Sequence, residues 1–452
     1  MTLVAPTRTL IVGGGGREHA LAWKLAAEPG VNEVVVAPGS DGIALEARVV
    51  IRPDVDPLDA ASVVEVALEA SVELVVVGPE APLAAGVADA LRAAGIAVFG
   101  PDAAAARIES SKAFCREVAE AAGVRMARGA AFDDERAAAA FARGVADAPG
   151  SSGAVIKADG LAAGKGVTVA DDAEAAEAAV AARFAAGDRV VVVEERLEGR
   201  EASLIALCDG RDALALPPAR DHKRLLDGDH GPNTGGMGAY SPVADLPDAA
   251  AERLVDEIHR PILAELARRG TPFRGALYAG LMLTADGPRL LECNARFGDP
   301  ETQAILPRLG IALGPLLLAA ARGDLSGARR AFGLGGSILP TRSESAVAVV
   351  LAASGYPDRP RSGDRIEGLD AARRAGALVF HAGTERLDDG AWVTRGGRVV
   401  TVVGRGADLA AARAVAEESA DRVALEGVLR RHDIAAEPAV AAEPAVAADA
   451  SR

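Results

Sequence analysis

The chain has 452 residues, half of them hydrophobic and a quarter charged, with a formal net charge of −15. At roughly 150 residues per domain this length suggests about three domains, and the apolar share supports packed cores and excludes a disordered chain. The acidic excess argues against non-specific nucleic-acid binding, and three scattered cysteines (Cys115, Cys208, Cys293) exclude a disulfide framework or zinc cage and fit a reducing cytoplasm.

Met1–Thr9 lacks the basic segment and apolar stretch of a secretory signal. The next hundred residues alternate β-branched runs with Ala-rich helical stretches. Leu10–Val12, Val34–Ala37, Leu74–Val77 and Ala97–Phe99 read as buried parallel strands, each followed by a Gly or Pro turn. That pattern predicts a doubly wound parallel sheet, with ligands at the C-terminal strand ends. The first turn, Gly13-Gly14-Gly15-Gly16-Arg17-Glu18, opens a helix where backbone N–H groups can approach an anion. A dinucleotide fingerprint would need a third glycine where Glu18 stands, and the second strand ends in Ala37-Pro38-Gly39 without a ribose-binding acid. A phosphate-bearing small substrate therefore suits this loop better than NAD.

Ser110–Ala122 reads as one helix entered through Ser caps. Strands are expected at Ala154–Lys157, Val167–Val169 and Val190–Glu194, around a helix at about 172–186. Between the first two of these strands runs Lys157-Ala158-Asp159-Gly160-Leu161-Ala162-Ala163-Gly164-Lys165-Gly166. Ten residues with three Gly and two Lys exceed what a hairpin needs and suit a lid over nucleotide phosphates. Glu194-Glu195-Arg196-Leu197, with Glu201 beyond, has the spacing for an adenine hinge and a ribose carboxylate, a weak signal alone.

Pro217–Pro242 reads as a long loop holding Asp221-His222-Lys223-Arg224 and the glycine-dense stretch 231–238, a segment suited to covering a substrate. His222 is expected to orient this loop rather than act as a base. Leu290–Arg296 reads as a strand whose period of two puts Glu292, Asn294 and Arg296 on one face. Glu292 and Asn294 offer the hard oxygen ligands Mg²⁺ prefers, while Arg296 can fork onto a carboxylate or phosphate. Leu309–Ala321 is too short to span a bilayer and is broken by Gly310, Gly314 and Pro315. A strand-rich segment from Ser345 to about His432 precedes a low-complexity tail, 436–452, expected to be disordered.

Together these stretches resemble the ATP-grasp superfamily, and within it the phosphoribosylamine–glycine ligase family. The matching residues are Gly15–Ala20, Gly78–Leu83, Ser111–Phe114, Lys157–Gly166, Asp221–Arg224, Gly231–Tyr240 and Arg296–Thr302. The resemblance implies ATP-dependent condensation of glycine with 5-phosphoribosylamine through a glycyl phosphate, in purine biosynthesis. It implies an α/β and α+β multidomain fold: a substrate-binding domain at 1–105, an ATP-grasp domain at 106–330 with a lid at about 124–194, and a C-terminal mixed domain at 331–435. Lys112 and Lys157 would contact ATP phosphates under a loop carrying Gly160, Gly164 and Gly166, with Lys157 and Arg296 as the catalytic cations. Glu194 and the backbones of Glu195 and Leu197 would hold adenine, and Glu201 the ribose. Glu292 and Asn294 would ligate Mg²⁺ or Mn²⁺. Gly16, Arg17, Glu18, Ser40, Glu80, Asp221, Lys223 and Arg296 would contact substrate, Ser40 standing where relatives are expected to carry Asn.

Three features depart from the family pattern: Ser40, the absence of a carboxylate on Ala276–Leu283, and Arg220 before Asp221. None removes a group the chemistry requires. The expected protein is a cytoplasmic monomer acting on small molecules, with neither nucleic acid nor membrane as partner. Another ATP-grasp ligase or carboxylase is the near alternative, disfavoured by the 231–238 segment and by missing biotin-type features. A dinucleotide-dependent oxidoreductase would explain only the first sheet, and a nucleotide-binding module without activity would leave the acid-and-arginine strand unused.

Overall fold

The computed structural model describes residues 5–161 and 166–436. Gly164, and the tail beyond Ala436, lie outside the described residues.

Five parallel strands form the first sheet, in the order Val49–Ile51, Glu33–Pro38, Arg8–Gly13, Leu74–Val77, Val98–Phe99. The strand Arg8–Gly13 pairs with Glu33–Pro38 on one side and Leu74–Val77 on the other. Alternation along these strands feeds two different cores: Leu10, Val12, Val35, Val75 and Val77 enter one, Ile11, Val34, Val36 and Val76 the other. Sheets covered on both faces need such continuous apolar runs. Val49–Ile51 escaped the sequence reading because it is three residues long, half-exposed and at the sheet edge.

A second four-stranded sheet, Gly129–Phe132, Val191–Glu195, Ala154–Ala158 and Val167–Ala170, carries the helices Glu135–Ala146 and Ala173–Ala185 and has its own apolar core. A third sheet is antiparallel: Ala213–Ala215, Arg200–Asp209, Arg274–Thr284, Gly287–Asn294. The fourth joins Arg220–Asp221, Gly238–Ser241, Ser345–Ala352, Arg398–Gly406 and Leu378–His381.

One sequence expectation is met with an addition and two change. The helix expected over Ser110–Ala122 is present as Lys112–Ala121, entered through Ser111, and a separate helix, Ala103–Ser110, precedes it. Ser111 breaks them because its extended backbone lets its Oγ cap the second, accepting the Phe114 N–H at 3.1 Å. The long loop is partly strand: Arg220–Asp221 pairs with Gly238–Ser241, and Arg224–Leu226 pairs with His230–Asn233. Finally, the strand expected to reach Arg296 ends at Asn294 and is irregular at Leu291, so Arg296 lies in the following turn.

Among the described residues no helix is long and apolar enough to cross a membrane. All three cysteines are free and buried.

Candidate active site

The C-terminal strand ends of the first sheet meet Glu18, not an empty anion cradle. Gly13 and Gly39 have φ of +123° and +73°, and an ideal Cβ on Gly14 would lie 2.5 Å from the Gly39 carbonyl oxygen, so the two turns touch backbone to backbone. Glu18 Oε2 accepts the Gly15 N–H at 2.7 Å, and its Oε1 pairs with Arg17 Nε at 2.6 Å. The crevice where strand order reverses therefore holds a carboxylate, which opposes a dinucleotide pyrophosphate there. Arg17 is buried and donates to the Phe297 carbonyl at 3.2 Å, joining this turn to the segment after the Glu292 strand. Ser40 at the neighbouring strand end has a buried hydroxyl without a hydrogen-bond partner among the described residues.

The loop between Lys157 and Gly166 is anchored at its ends. The Ala158 N–H donates to the Gly166 carbonyl at 2.8 Å, and Lys112 Nζ donates to the Gly160 carbonyl at 2.8 Å. Asp159 accepts from Ser111 Oγ and the Ala113 N–H, tying the loop to the helix that begins at Lys112. Burial lowers the Lys112 pKa, against the opposing pull of Glu292. Lys157 Nζ lies 2.6 Å from Glu194 Oε2 and donates to the Leu291 carbonyl at 3.1 Å, which puts it beside Glu292. Glu194 is itself buried and also accepts from Arg116 at 3.0 Å. Its carboxylate is therefore engaged by two cations. The Glu195 N–H donates to the Arg128 carbonyl at 2.8 Å, so an adenine contact there falls to its carbonyl oxygen. Leu197 follows in the turn before the strand that carries Glu201.

At the strand Gly287–Asn294, Glu292 and Asn294 stand opposite Gly280 and Tyr278. An ideal Cβ on Gly280 would come 3.1 Å from Glu292 Cγ, so a larger residue on the facing strand would make that side chain shift by a few tenths of an ångström. Lys223 Nζ bridges Glu201 at 2.8 Å and Glu292 at 3.6 Å. Burial opposes ionisation of Glu292, but Lys223, Lys157, Lys112 and Arg296 outweigh it and hold its carboxyl below the usual range. Asp221 goes the other way. Burial, together with Glu301, Glu201 and Glu292 and despite Lys223, pushes it up to about 7.

That crowding of carboxylates bears on metal binding. Burial is the largest cause of the rise at Asp221, and the carboxylates Glu301, Glu201 and Glu292 add to it, so the group stands among hard oxygen donors. The residues fit a divalent cation. Among the described residues no three His, Cys, Asp or Glu side chains converge to hold an ion, so Glu292 and Asn294 would hold it together with nucleotide phosphates and water, as Mg²⁺ sites commonly do.

Arg296 connects the halves. Its Nε lies 3.2 Å from Glu80 Oε2 and its Nη2 3.1 Å from Glu109 Oε1, while the Ala295 N–H donates to Glu109 Oε2 at 2.7 Å. The sequence reading missed Glu109, a single carboxylate within a helix and without a local signal. It also missed Arg398, which pairs with Asp299 at 3.0 Å and donates to the Gly235 and Asp299 carbonyls, and Tyr356, whose hydroxyl accepts the Gly235 N–H at 3.0 Å. His222 is buried, burial lowers its pKa to about 4, and its Nε2 has no hydrogen-bond partner among the described residues. A neutral imidazole there is consistent with a role in the loop's packing.

Comparison with known proteins shows the family of the chain. Family models for the phosphoribosylglycinamide synthetase N domain, ATP-grasp (A) domain and C domain match residues 7–109, 110–302 and 346–437. The chain is 49% identical over 441 residues to a phosphoribosylamine–glycine ligase of Streptomyces coelicolor, covering 96% of this chain and 99% of that one. It is 48% identical over 429 residues to that of Caulobacter vibrioides, covering 94% and 97%. The crystal structure of the Thermotoga maritima phosphoribosylamine–glycine ligase superposes with a TM-score of 0.76 at 34% identity, covering 94% of this chain and 100% of that one. A biotin carboxylase domain from Hydrogenobacter thermophilus, at 16% identity and a TM-score of 0.68 over 94% and 92% of the two chains, shares the fold alone. With three family models in order along nearly the whole described chain, the protein belongs to the phosphoribosylglycinamide synthetase family.

Proposed function

We propose that this chain joins glycine to 5-phosphoribosylamine at the expense of ATP, in purine biosynthesis. The observation that carries the reading is the continuity of charge from Lys112 and Lys157, through Glu292 and Lys223, to Arg296, Glu80 and Arg17. One end suits a triphosphate, the other a sugar phosphate.

In the first half-reaction the glycine carboxylate oxygen attacks the γ-phosphorus of ATP; the bond from that phosphorus to the bridging oxygen breaks and ADP leaves. The amine of phosphoribosylamine then attacks the glycyl carbonyl carbon, forming a C–N bond and releasing phosphate and a proton. Both steps bring anions together, so fixed cations and aligned donors supply most of the acceleration. Lys112 and Lys157 would neutralise phosphate oxygens beneath the 160–166 loop. Glu194, the backbones of Glu195 and Leu197, and Glu201 would orient the nucleoside. Arg296, held from both sides by carboxylates, would present its guanidinium to the glycine carboxylate or acyl phosphate. Gly16, Arg17, Glu18, Ser40, Glu80, Asp221 and Lys223 would receive the substrates. A divalent cation held by Glu292 and Asn294, Mg²⁺ or Mn²⁺, would supply charge neutralisation of the phosphates.

We take 1–105, 106–330 with a lid at about 124–194, and 331–435 as the working units, and a single cytoplasmic chain as the active species. The test is ADP release by purified protein with each substrate omitted in turn. Turnover should require glycine and phosphoribosylamine together. Unchanged turnover with another carboxylate replacing glycine would overturn the assignment.

A further inference from the structure

Directly after Arg17 and Glu18 comes a buried histidine to which the reaction gives no role. His19 is 0% exposed in the helix Gly16–Ala26, and it faces the C-terminal sheet. Its Nδ1 accepts the backbone N–H of His381 at 2.9 Å, and its Nε2 lies 3.2 Å from Glu46 Oε1. A backbone N–H can only donate, so Nδ1 must carry the lone pair and Nε2 the proton that goes to Glu46. The tautomer is fixed by its partners, and a doubly protonated ring would set two N–H groups against each other.

His381 is held just as firmly. Arg373 can only donate, so His381 Nε2, at 2.9 Å, is the acceptor, and its Nδ1–H goes to Thr384 Oγ1 at 2.9 Å. Its ring lies against Gly42, where an ideal Cβ would come within 2.1 Å of it. Phe380 packs edge-on to His19, with ring centroids 5.4 Å apart. The strand Leu378–His381 pairs with Arg398–Gly406, the strand whose first residue grips Asp299. At the start of the same helix, an ideal Cβ on Gly16 would sit 2.9 Å from Gln303 Nε2 and 3.6 Å from Thr401 Oγ1. The turn carrying Arg17 and Glu18 is thus wedged between the 299–303 segment and the C-terminal sheet.

We propose that His19 is a positioning residue: as a fixed neutral tautomer it docks the C-terminal sheet, through the His381 amide, against the helix that presents Arg17 and Glu18 to the sugar-phosphate substrate. The kinetic part of this rests on the ligase reading; the docking part does not.

Two variants separate the ring nitrogens. In His19→Asn the amide oxygen falls near Nδ1 and can still accept the His381 N–H. In His19→Gln the longer side chain keeps a donor for Glu46 but offers no acceptor at the Nδ1 position. Deuterium uptake at the His381 amide, read from overlapping peptides of the full chain, should be near wild type in His19→Asn and about tenfold faster in His19→Gln, as expected for a buried amide that has lost its acceptor. In the same proteins KM for phosphoribosylamine should rise about tenfold in His19→Gln alone, a loss equivalent to one such contact, with KM for ATP unchanged. Equal exchange in the two variants would overturn the docking role, and faster exchange without a change in KM would overturn the positioning role. A wild-type protein inactive with these substrates would instead refute the ligase reading, leaving the exchange contrast to decide the docking.

Discussion

Glu109 Oε1 lies 3.1 Å from Arg296 Nη2, and the same carboxylate accepts the neighbouring Ala295 N–H. The Glu109 side chain is 7% exposed, and burial raises its pKa against the opposing pull of Arg296. Such a group does not meet substrate; it fixes the direction of a guanidinium that would.

Replacing Glu109 should therefore hurt in two separable ways. Glu109→Ala leaves the Ala295 N–H and one side of Arg296 without a partner, and breaking a buried pair of this kind costs about 3–5 kcal/mol. Thermal unfolding should show that loss. Glu109→Gln keeps a neutral acceptor of the same length, so the fold should survive while kcat/KM for glycine falls about tenfold, equivalent to about 1.4 kcal/mol. A Glu109→Gln enzyme with wild-type kcat/KM would show that Arg296 needs no second carboxylate.

Glu292 is held ionised by Lys223, Lys157, Lys112 and Arg296 despite its burial. Glu292→Gln keeps the volume and removes the charge that a divalent cation needs. Turnover should fall by at least about a hundredfold, in line with the several kcal/mol that metal-assisted charge stabilisation supplies. ATP with Mg²⁺ should raise the melting temperature of wild type well above ATP alone, and this difference should vanish in the variant. If the metal-dependent increment persists in Glu292→Gln, the ligand assignment is wrong.

How far the sequence revealed this site depends on distance along the chain. Lys157–Gly166, Glu292 with Asn294, and the Gly13–Glu18 turn are each short segments whose residue types and spacing are visible locally. Four of the five strands of the first sheet were legible because Leu10–Val12, Val34–Ala37, Leu74–Val77 and Ala97–Phe99 are apolar runs closed by turn residues. Val49–Ile51 was not, because an edge strand half in water lacks that contrast. Glu109, Tyr356 and Arg398 are single residues that reach the site from three remote elements, and nothing around them in sequence marks them. The pairing of Gly238–Ser241 with Ser345–Ala352 was hidden for the same reason: it joins strands a hundred residues apart.

The pH dependence of stability follows from three buried histidines and from Asp221. Burial lowers the pKa of His222 to about 4, His259 to about 4 and His381 to about 2. Unfolded, each histidine binds its proton near pH 6.5, so the unfolded state takes up protons that the native state refuses. Stability is then fully present above about pH 6.5 and falls as the pH drops toward 4. Asp221, pushed up to about 7, has the opposite sign: the native state holds a proton that the unfolded chain releases near pH 4. Between about pH 4.5 and 6.5 the balance is three protons gained less one lost, so unfolding takes up about two, or about 2.7 kcal/mol of stability per pH unit. In metal-free buffer Asp221→Asn should steepen this slope toward three protons, and His222→Gln should flatten it toward one. Denaturant unfolding at stepped pH reads the slope directly, and an Asp221→Asn slope equal to wild type would show that Asp221 titrates normally.

Two glycines at the strand ends should separate fold from function. At Gly14 an ideal Cβ would lie 2.5 Å from the Gly39 carbonyl oxygen, which is backbone and cannot turn aside. Gly14→Ala should therefore destabilise the first sheet by about 1–3 kcal/mol, the usual cost of overpacking, with a lower melting temperature. At Gly78 the ideal Cβ meets the side chain of Glu18 instead, 2.1 Å from Oε1. A carboxylate can rotate, so Gly78→Ala should cost little stability but push Glu18 away from the Gly15 N–H and from Arg17. The expected signature is a raised KM for phosphoribosylamine with KM for ATP and glycine unchanged, since Lys157 pairs with Glu194 and Glu292 with Lys223, not with Glu18. Were Gly78→Ala instead to raise the KM for ATP, the division of the site into a sugar-phosphate end and a triphosphate end would be wrong.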